Sequence, residues 1–463
     1  MSTPVPEVLV AAYETPPEQA ALKHQWIHQA SWRELVERRG LRVFERGEGI
    51  YLYDVHGRRY IDAIAGLLVV NIGHGRAEIA EVAAEQLRKL AYVSAASYTS
   101  VPAAELAARI AELTPGDLER VFFCSGGSEA VETAIKIAKQ VQLLRGFPKR
   151  YKIIARRGGY HGATYGAMSL TSNRAELEPP FGPFMPGVFH IPTVDHYRND
   201  FGLNGPEGDL MAARYLEQEI KFQGPETVAA FIGEPISTAA GCHVPSPEYW
   251  HEVRRICDRY GVLLIMDEVI NGWGRTGKLF AAEHFGVTPD IMTMAKGLSS
   301  GYAPIAAAVA RPSVYGEFQQ QERRLAHLLT FGGHAVACAI ALKNIEIMLR
   351  ERLVENAAAM GDYLLAGMKR LVETHPSAGD ARGKGLMCAL DLVKDKDTKE
   401  RWLKDSPFSI RLGELLHERG VLVRILGDLL LAPPLVITRE QVDELLNIVD
   451  DSLTQVEHEF AMR

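Results

Sequence analysis

The sequence predicts an α/β protein: a large domain with a mainly parallel central sheet, and a smaller α+β domain. Three observations predict it. Five short, almost wholly apolar runs occur at 120–125 (RVFFCS), 152–156 (KIIAR), 228–234 (VAAFIGE), 262–268 (VLLIMDE) and 305–310 (IAAAVA). Helical patterns separate most of them, as in SEAVETAIKIAKQVQLL at 128–144. Continuously apolar strands between helices belong to a sheet covered on both faces. Past 335 the pattern changes to one long helical stretch, AVACAIALKNIEIMLRERLVENAAAMGDYLLAGMKRLVE, and then to mixed short elements.

In chain order, residues 1 to about 30 read as a loose arm that turns helical near EQAALKHQWIHQ. GIYLYDVHGRRYIDAIAG reads as a hairpin, two β-rich runs around the turn DVHG. From 77 the strands and helices above alternate. After the long helix come HPSAGDARGKGLMCALDLV, a further helix and the strand GVLVRIL. The last helix begins at TREQ, where Thr438 and Gln441 have the spacing of a capping box. The expected division is an arm and hairpin over 1–76 that form part of the small domain, a large domain over 77–335 and a C-terminal small domain over 336–463.

Bulk properties exclude several classes. A chain of 463 residues has room for two to four domains, or one large domain and an appendage, at about 100–200 residues each. A net charge of −7 gives no basic field for nucleic acid or an anionic membrane. The five cysteines are scattered without C-x-x-C spacing, which suits reduced thiols in a cytoplasmic protein. The N-terminus lacks the charged start and long apolar run of a secretion signal. No apolar run approaches the roughly 20 residues of a membrane helix. His24 and His28 are four apart but have no evident third ligand, so no metal is expected.

In open α/β sheets, ligands gather at the C-terminal ends of the strands. After the first strand, Ser125-Gly126-Gly127-Ser128 opens a helix. This reads as a cradle for a phosphate, or as a glycine-rich turn with Ser128 as N-cap. Asp267 and Glu268 end another strand, where alternation turns them to opposite faces. A buried Asp267 needs a partner; the bland alternative to a site carboxylate is an ion pair with Arg275. Tyr160 and His161 follow a third strand, either a ring that stacks on a flat ligand or a core tyrosine and a loop histidine. Lys296 is the one charge in the seventeen residues IMTMAKGLSSGYAPIAA. Desolvation favours a neutral amine there, and a neutral amine condenses with carbonyls. A lysine, an acid, a stacking aromatic and a phosphate cradle together describe pyridoxal phosphate. A rival, GWGRTGKL at 272–279, nearly fits a nucleotide-triphosphatase loop, but Leu279 has no hydroxyl for Mg²⁺.

These motifs resemble the class III (ω-amino) aminotransferases of the fold-type I pyridoxal-phosphate enzymes. The resemblance runs from GIYLYDVHGRRYIDA to LAPPLVIT. Its most specific pieces are FFCSGGSEAVETAIKIAK, YHGAT, FIGEPIS, LLIMDEVINGWGRTGKLFA, PDIMTMAKGLSSGYAPIAA and HLLTFGGHAVACAIAL. It implies that Lys296 holds pyridoxal 5′-phosphate as a Schiff base and that Asp267 keeps the ring nitrogen protonated. Val269 and Tyr160 would flank the ring, and Gly127 and Ser128 would bind its phosphate. Thr330 would reach the phosphate in a neighbouring subunit, implying a homodimer with shared sites; dimer against tetramer stays open. Glu234 and His161 would lie close to the cofactor. Arg424 would pair with a substrate carboxylate, and without the resemblance it reads as a strand-end surface arginine.

The implied reaction is a ping-pong transfer from a primary amine or ω-amino acid to pyruvate. Another pyridoxal-phosphate reaction on the same fold (an aminomutase, a decarboxylating transaminase or a racemase) is the alternative. Several positions depart from the commoner pattern: Gly126 for serine, Ser237 for glutamine, Leu68 for a pocket tryptophan, and Leu328 and Ala335 around Thr330. They affect the substrate more than the reaction. Taurine, β-alanine, a diamine and an arylalkylamine all remain compatible donors.

Overall fold

The structure is a computed structural model that describes residues 14–31, 35–36, 40–172, 174–199, 201–203 and 205–462. Residues 1–13 of the expected arm lie outside the described residues. The chain enters with a helix over Pro16–His24, which Thr15 and Glu18 close with a capping box. It is shorter than the sequence pattern suggests. A strand that was not expected, β1 (Phe44–Glu48), pairs with β2 (Tyr51–Asp54), which forms the expected hairpin with β3 (Arg59–Asp62).

The large sheet contains β4 (Arg120–Cys124), β5 (Lys152–Arg156), β6 (Val188–Ile191), β7 (Val228–Gly233), β8 (Leu263–Asp267), β9 (Ile291–Met294) and β10 (Ala306–Ala310). Their order is β4-β10-β9-β8-β7-β5-β6. β10 runs antiparallel to both neighbours and the other pairs are parallel. The ends of β4, β5, β7, β8 and β9 therefore share one edge of the sheet. All five expected strands are present. β6 and β9 were not expected, because each is only four residues long and flanked by ambiguous sequence.

Alternate residues of the central strands enter different cores, as a sheet covered on both faces requires. Ile153, Ala155, Ile232 and Ile265 pack with Val131, Ala134 and Val141 of the helix Gly127–Leu144. Ile154, Phe231, Leu264 and Met266 pack on the other face with Trp250 and Val253. Each large side chain fully buried in this way contributes about 1.5–3 kcal/mol.

The long helical stretch is two helices, Ala335–Arg350 and Leu353–Thr374, separated by Arg352 at φ 54°. The first packs on Ala77–Lys89 and Val101–Leu113, the second on β11 and the last helix; tertiary contacts redirect a chain whose pattern does not break. Beyond them come β11 (Ala378–Gly383), β12 (Cys388–Asp395), β13 (Glu400–Arg401), β14 (Val421–Leu422), β15 (Arg424–Ile425) and β16 (Asp428–Leu431). The run GVLVRIL is thus not one strand. β14 joins β3 in the N-terminal sheet, and β15 pairs with β16 at the end of the order β11-β12-β16-β15. The last helix, Arg439–Glu459, carries the expected capping box of Thr438 and Gln441. Among the described residues, no helix is long and apolar enough to cross a membrane, and the five cysteines are buried and free.

Candidate active site

The site is assembled at the edge where the parallel strands end. β8 finishes at Asp267, which is buried and receives three hydrogen bonds. Thr293 Oγ1 donates to Oδ1 at 2.9 Å and the Val269 N–H at 3.1 Å, while His161 Nδ1 lies 2.7 Å from Oδ2. The partner of this carboxylate is therefore His161, not Arg275. Arg275 is buried elsewhere, on the carbonyls of Leu386 and Pro433 and on Asn71 Oδ1. Glu268 turns the opposite way, as alternation requires, and accepts the N–H groups of Ala281 and Ala282. Burial pushes its carboxyl up to about 8.

Two residues past the end of β9, Lys296 begins a short 3-10 turn with its backbone at φ 45°. Its amine makes no hydrogen bond or ion pair within the described residues. Burial lowers its pKa to about 8 against the upward pull of Asp267 and Glu234, and Arg424 and Arg275 push it further down. An amine in this range has an appreciable neutral fraction at physiological pH, which a nucleophile or proton carrier needs.

Glu234 follows β7 and is buried. Its Oε1 accepts the Tyr160 N–H and its Oε2 the Thr238 N–H, both at 3.1 Å. Burial raises its pKa, with His161 pulling down and Asp267 pushing up. Tyr160 remains 43% exposed, so its ring faces open space instead of the core. His161 has its Nδ1 on Asp267 and its buried Nε2 without a partner.

The helix Gly127–Leu144 starts at the same edge. Gly126, not Ser128, is its N-cap; Ser128 Oγ accepts the Ala163 N–H at 3.0 Å and so fastens the loop that holds Tyr160 and His161. A Cβ on Gly127 would lie 2.8 Å from Val269 Cγ1 and 3.7 Å from Ala295 Cβ, so the helix start, the end of β8 and the approach to Lys296 converge. The first N–H groups of a helix have no intrahelical acceptors and suit an anion. A Cβ on Gly126 would meet nothing within 4 Å, so packing does not demand the glycine that replaces the commoner serine.

Arg424 heads β15. Its guanidinium has no hydrogen bond or ion pair within the described residues, yet its charge reaches Lys296. Two expected residues stand apart. Thr330 is in an exposed loop, where its carbonyl accepts Tyr92 Oη–H at 3.0 Å. Leu68 is 3% exposed within the main core, while its neighbour Leu67 is 49% exposed.

Sequence reasoning missed Thr293 and Arg156. Thr293 sits beside Asp267 in the β8–β9 register, a signal available only once β9 is recognised. Arg156, 1% exposed, ends β5 and donates through Nη2 to the Glu234 carbonyl.

The aminotransferase class-III family model matches residues 36–453. The putrescine–pyruvate aminotransferase of Pseudomonas aeruginosa is 38% identical over 423 residues, covering 91% of this chain and 92% of the relative. The structure of a thermostable (S)-enantioselective ω-transaminase from Thermomicrobium roseum is 43% identical with a TM-score of 0.91, covering 98% of this chain and all of the other. That of an amine transaminase from an uncultivated Pseudomonas species, in its PLP-bound form, is 36% identical with a TM-score of 0.90, covering 94% and 99%. Fold, site and family model agree, and the chain belongs to the class-III aminotransferases of fold type I.

Proposed function

We propose that this protein moves an amino group from a primary amine or ω-amino acid to pyruvate, giving alanine, with pyridoxal 5′-phosphate as its cofactor. The carrying observation is the Lys296 amine, without a hydrogen-bond or ion-pair partner among the described residues, at the same sheet edge as the buried carboxylate of Asp267. The donor set fits the group. Lys296 offers an amine for its aldehyde, Asp267 an anion for its ring nitrogen, and the first N–H groups at Gly127 and Ser128 a cradle for its phosphate. Val269 and Tyr160 would lie against its ring, and Glu234 and His161 beside it. Bound there, the cofactor supplies an electrophilic aldehyde carbon and a ring that takes up an electron pair from the donor carbon.

This chain's residues do the rest. Lys296 would hold the cofactor through its aldehyde, and its neutral amine would carry a proton at the donor carbon, a role worth about 10²–10⁴ in rate. The charge of Asp267, fixed by His161 and Thr293, favours a protonated ring nitrogen. Arg424 pairs with the carboxylate of the acceptor and withdraws for a donor that lacks one, since an apolar group against a desolvated guanidinium is unfavourable.

Thr330 serves the site of a second copy of this chain. Its exposure beside Tyr92, Leu328 and Phe331, which are 43%, 59% and 60% exposed, supports a homodimer with shared sites. Buried free thiols support a cytoplasmic location. The test is a visible spectrum of the purified protein followed by a donor screen. A yellow protein that bleaches with an amine and recovers with pyruvate, releasing alanine, is expected. A coloured protein that forms no alanine with any amine would favour another pyridoxal-phosphate reaction.

A further inference from the structure

The hairpin that carries Arg424 is held in an unusual way. β15 is two residues long and lies at the edge of its sheet, paired with β16 at Arg424↔Leu430 and Ile425↔Leu429. Two residues before Arg424, at Leu422, the chain belongs to a different sheet, through β14 and β3. The turn is tight, with Gly427 at φ 92°. Immediately after it, Asp428 is fixed. It is 5% exposed and accepts Arg382 Nη2 at 2.6 Å, with Arg401 Nη2 at 3.7 Å.

Arg382 also reaches the catalytic edge. Its Nε donates at 2.6 Å to the carbonyl of Gly241, in the loop that follows Glu234. Its Nη1 is shared between Asp380 at 3.0 Å and Asp391 at 3.1 Å. The approach is close: a Cβ on Gly241, at φ 110°, would lie 2.5 Å from Arg382 Nη2 and 2.6 Å from Asp428 Oδ2. The same loop supplies the Thr238 N–H that binds Glu234. A buried ion pair thus joins the root of the Arg424 hairpin to the segment that positions Glu234.

We propose that Asp428 and Arg382 are positioning residues for Arg424: their ion pair is a pivot that fixes the base of a short edge hairpin and so sets where the guanidinium meets a substrate carboxylate. This rests on reading Arg424 as the carboxylate clamp. A bidentate clamp is sensitive to small displacements, whereas an acceptor without a carboxylate does not use it.

The experiment uses the full-length holoenzyme of the wild type, Asp428→Asn, Arg424→Ala and the double variant, each checked for cofactor content. Pyruvate and propanal are compared as acceptors, and propanoate binding is measured calorimetrically. Asp428→Asn is expected to raise KM for pyruvate about tenfold more than KM for propanal and to weaken propanoate binding similarly. In the Arg424→Ala background the same change should add nothing further, because both act through one guanidinium. Arg382→Lys, which keeps the charge but not the fork, should give the same split at smaller amplitude, and it stands in if Asp428→Asn loses the cofactor. Equal losses with both acceptors, or an undiminished effect of Asp428→Asn without Arg424, would overturn the pivot. Unchanged pyruvate preference in Arg424→Ala would overturn the clamp reading and the pivot with it. A carboxylate-specific loss in Arg424→Ala with none in Asp428→Asn or Arg382→Lys would overturn the pivot alone.

Discussion

Removing the cofactor and titrating Lys296 should expose an amine quite unlike a surface lysine. Burial lowers its pKa from 10.5 to about 8. At pH 7 an amine of pKa about 8 is neutral in about one molecule in eleven, against about one in 3,000 for an unperturbed lysine, a difference of about 300-fold. The assay is the rate of Lys296 modification by an amine-directed reagent across pH, quantified on the peptide that contains it. The expected profile reaches its midpoint near pH 8. The neighbouring charges give two signed shifts: Asp267→Asn, losing an anion, moves the midpoint down, and Arg424→Ala, losing a cation, moves it up. A rate still climbing beyond about pH 10, or both variants shifting the same way, would refute the assignment of burial and local charge as the cause.

Other consequences are open to simpler measurement. Lys296→Ala should fold and take up cofactor without covalent attachment, and its kcat should fall by at least about 10²–10⁴; normal turnover would remove Lys296 from the reaction. Arg424→Ala should reduce kcat/KM for pyruvate about 100-fold while a short aldehyde acceptor suffers much less. Burial raises Glu268 from 4.5 to about 8, so the folded state holds more protons in that window and stability is lost as pH rises through it. Glu268→Gln should flatten that fall in Tm between pH 5 and about 8, and an unaltered slope would show that Glu268 is not its source.

The framework of the site was legible because apolar strands flanked by helices announce a mainly parallel sheet, and the polar residues at their ends are few. Asp267 and the Gly127 turn lie at the ends of expected strands, whereas Lys296 follows β9, which was not expected, and Glu234, just past β7, was singled out only through the family resemblance. What escaped were relations between segments distant in sequence. Nothing around Asp267 shows that its partner is His161, on the loop after β5, while Arg275, eight residues on, looked available. Thr293 was hidden because a four-residue strand carries too little pattern to be separated from its surroundings. GVLVRIL reads as one strand since its residues favour extension throughout. Only the pairing partners, Ile61 and Asp62 on one side and Leu429 and Leu430 on the other, divide it and leave Arg424 on an edge.

The most direct test reduces the purified enzyme with borohydride and maps the pyridoxyl group by peptide mass spectrometry. The expected result is one stoichiometric label on Lys296, abolished by prior incubation with an amine donor and restored by pyruvate. A label on another lysine, or none on a coloured protein, would contradict the claim that this amine is the covalent anchor.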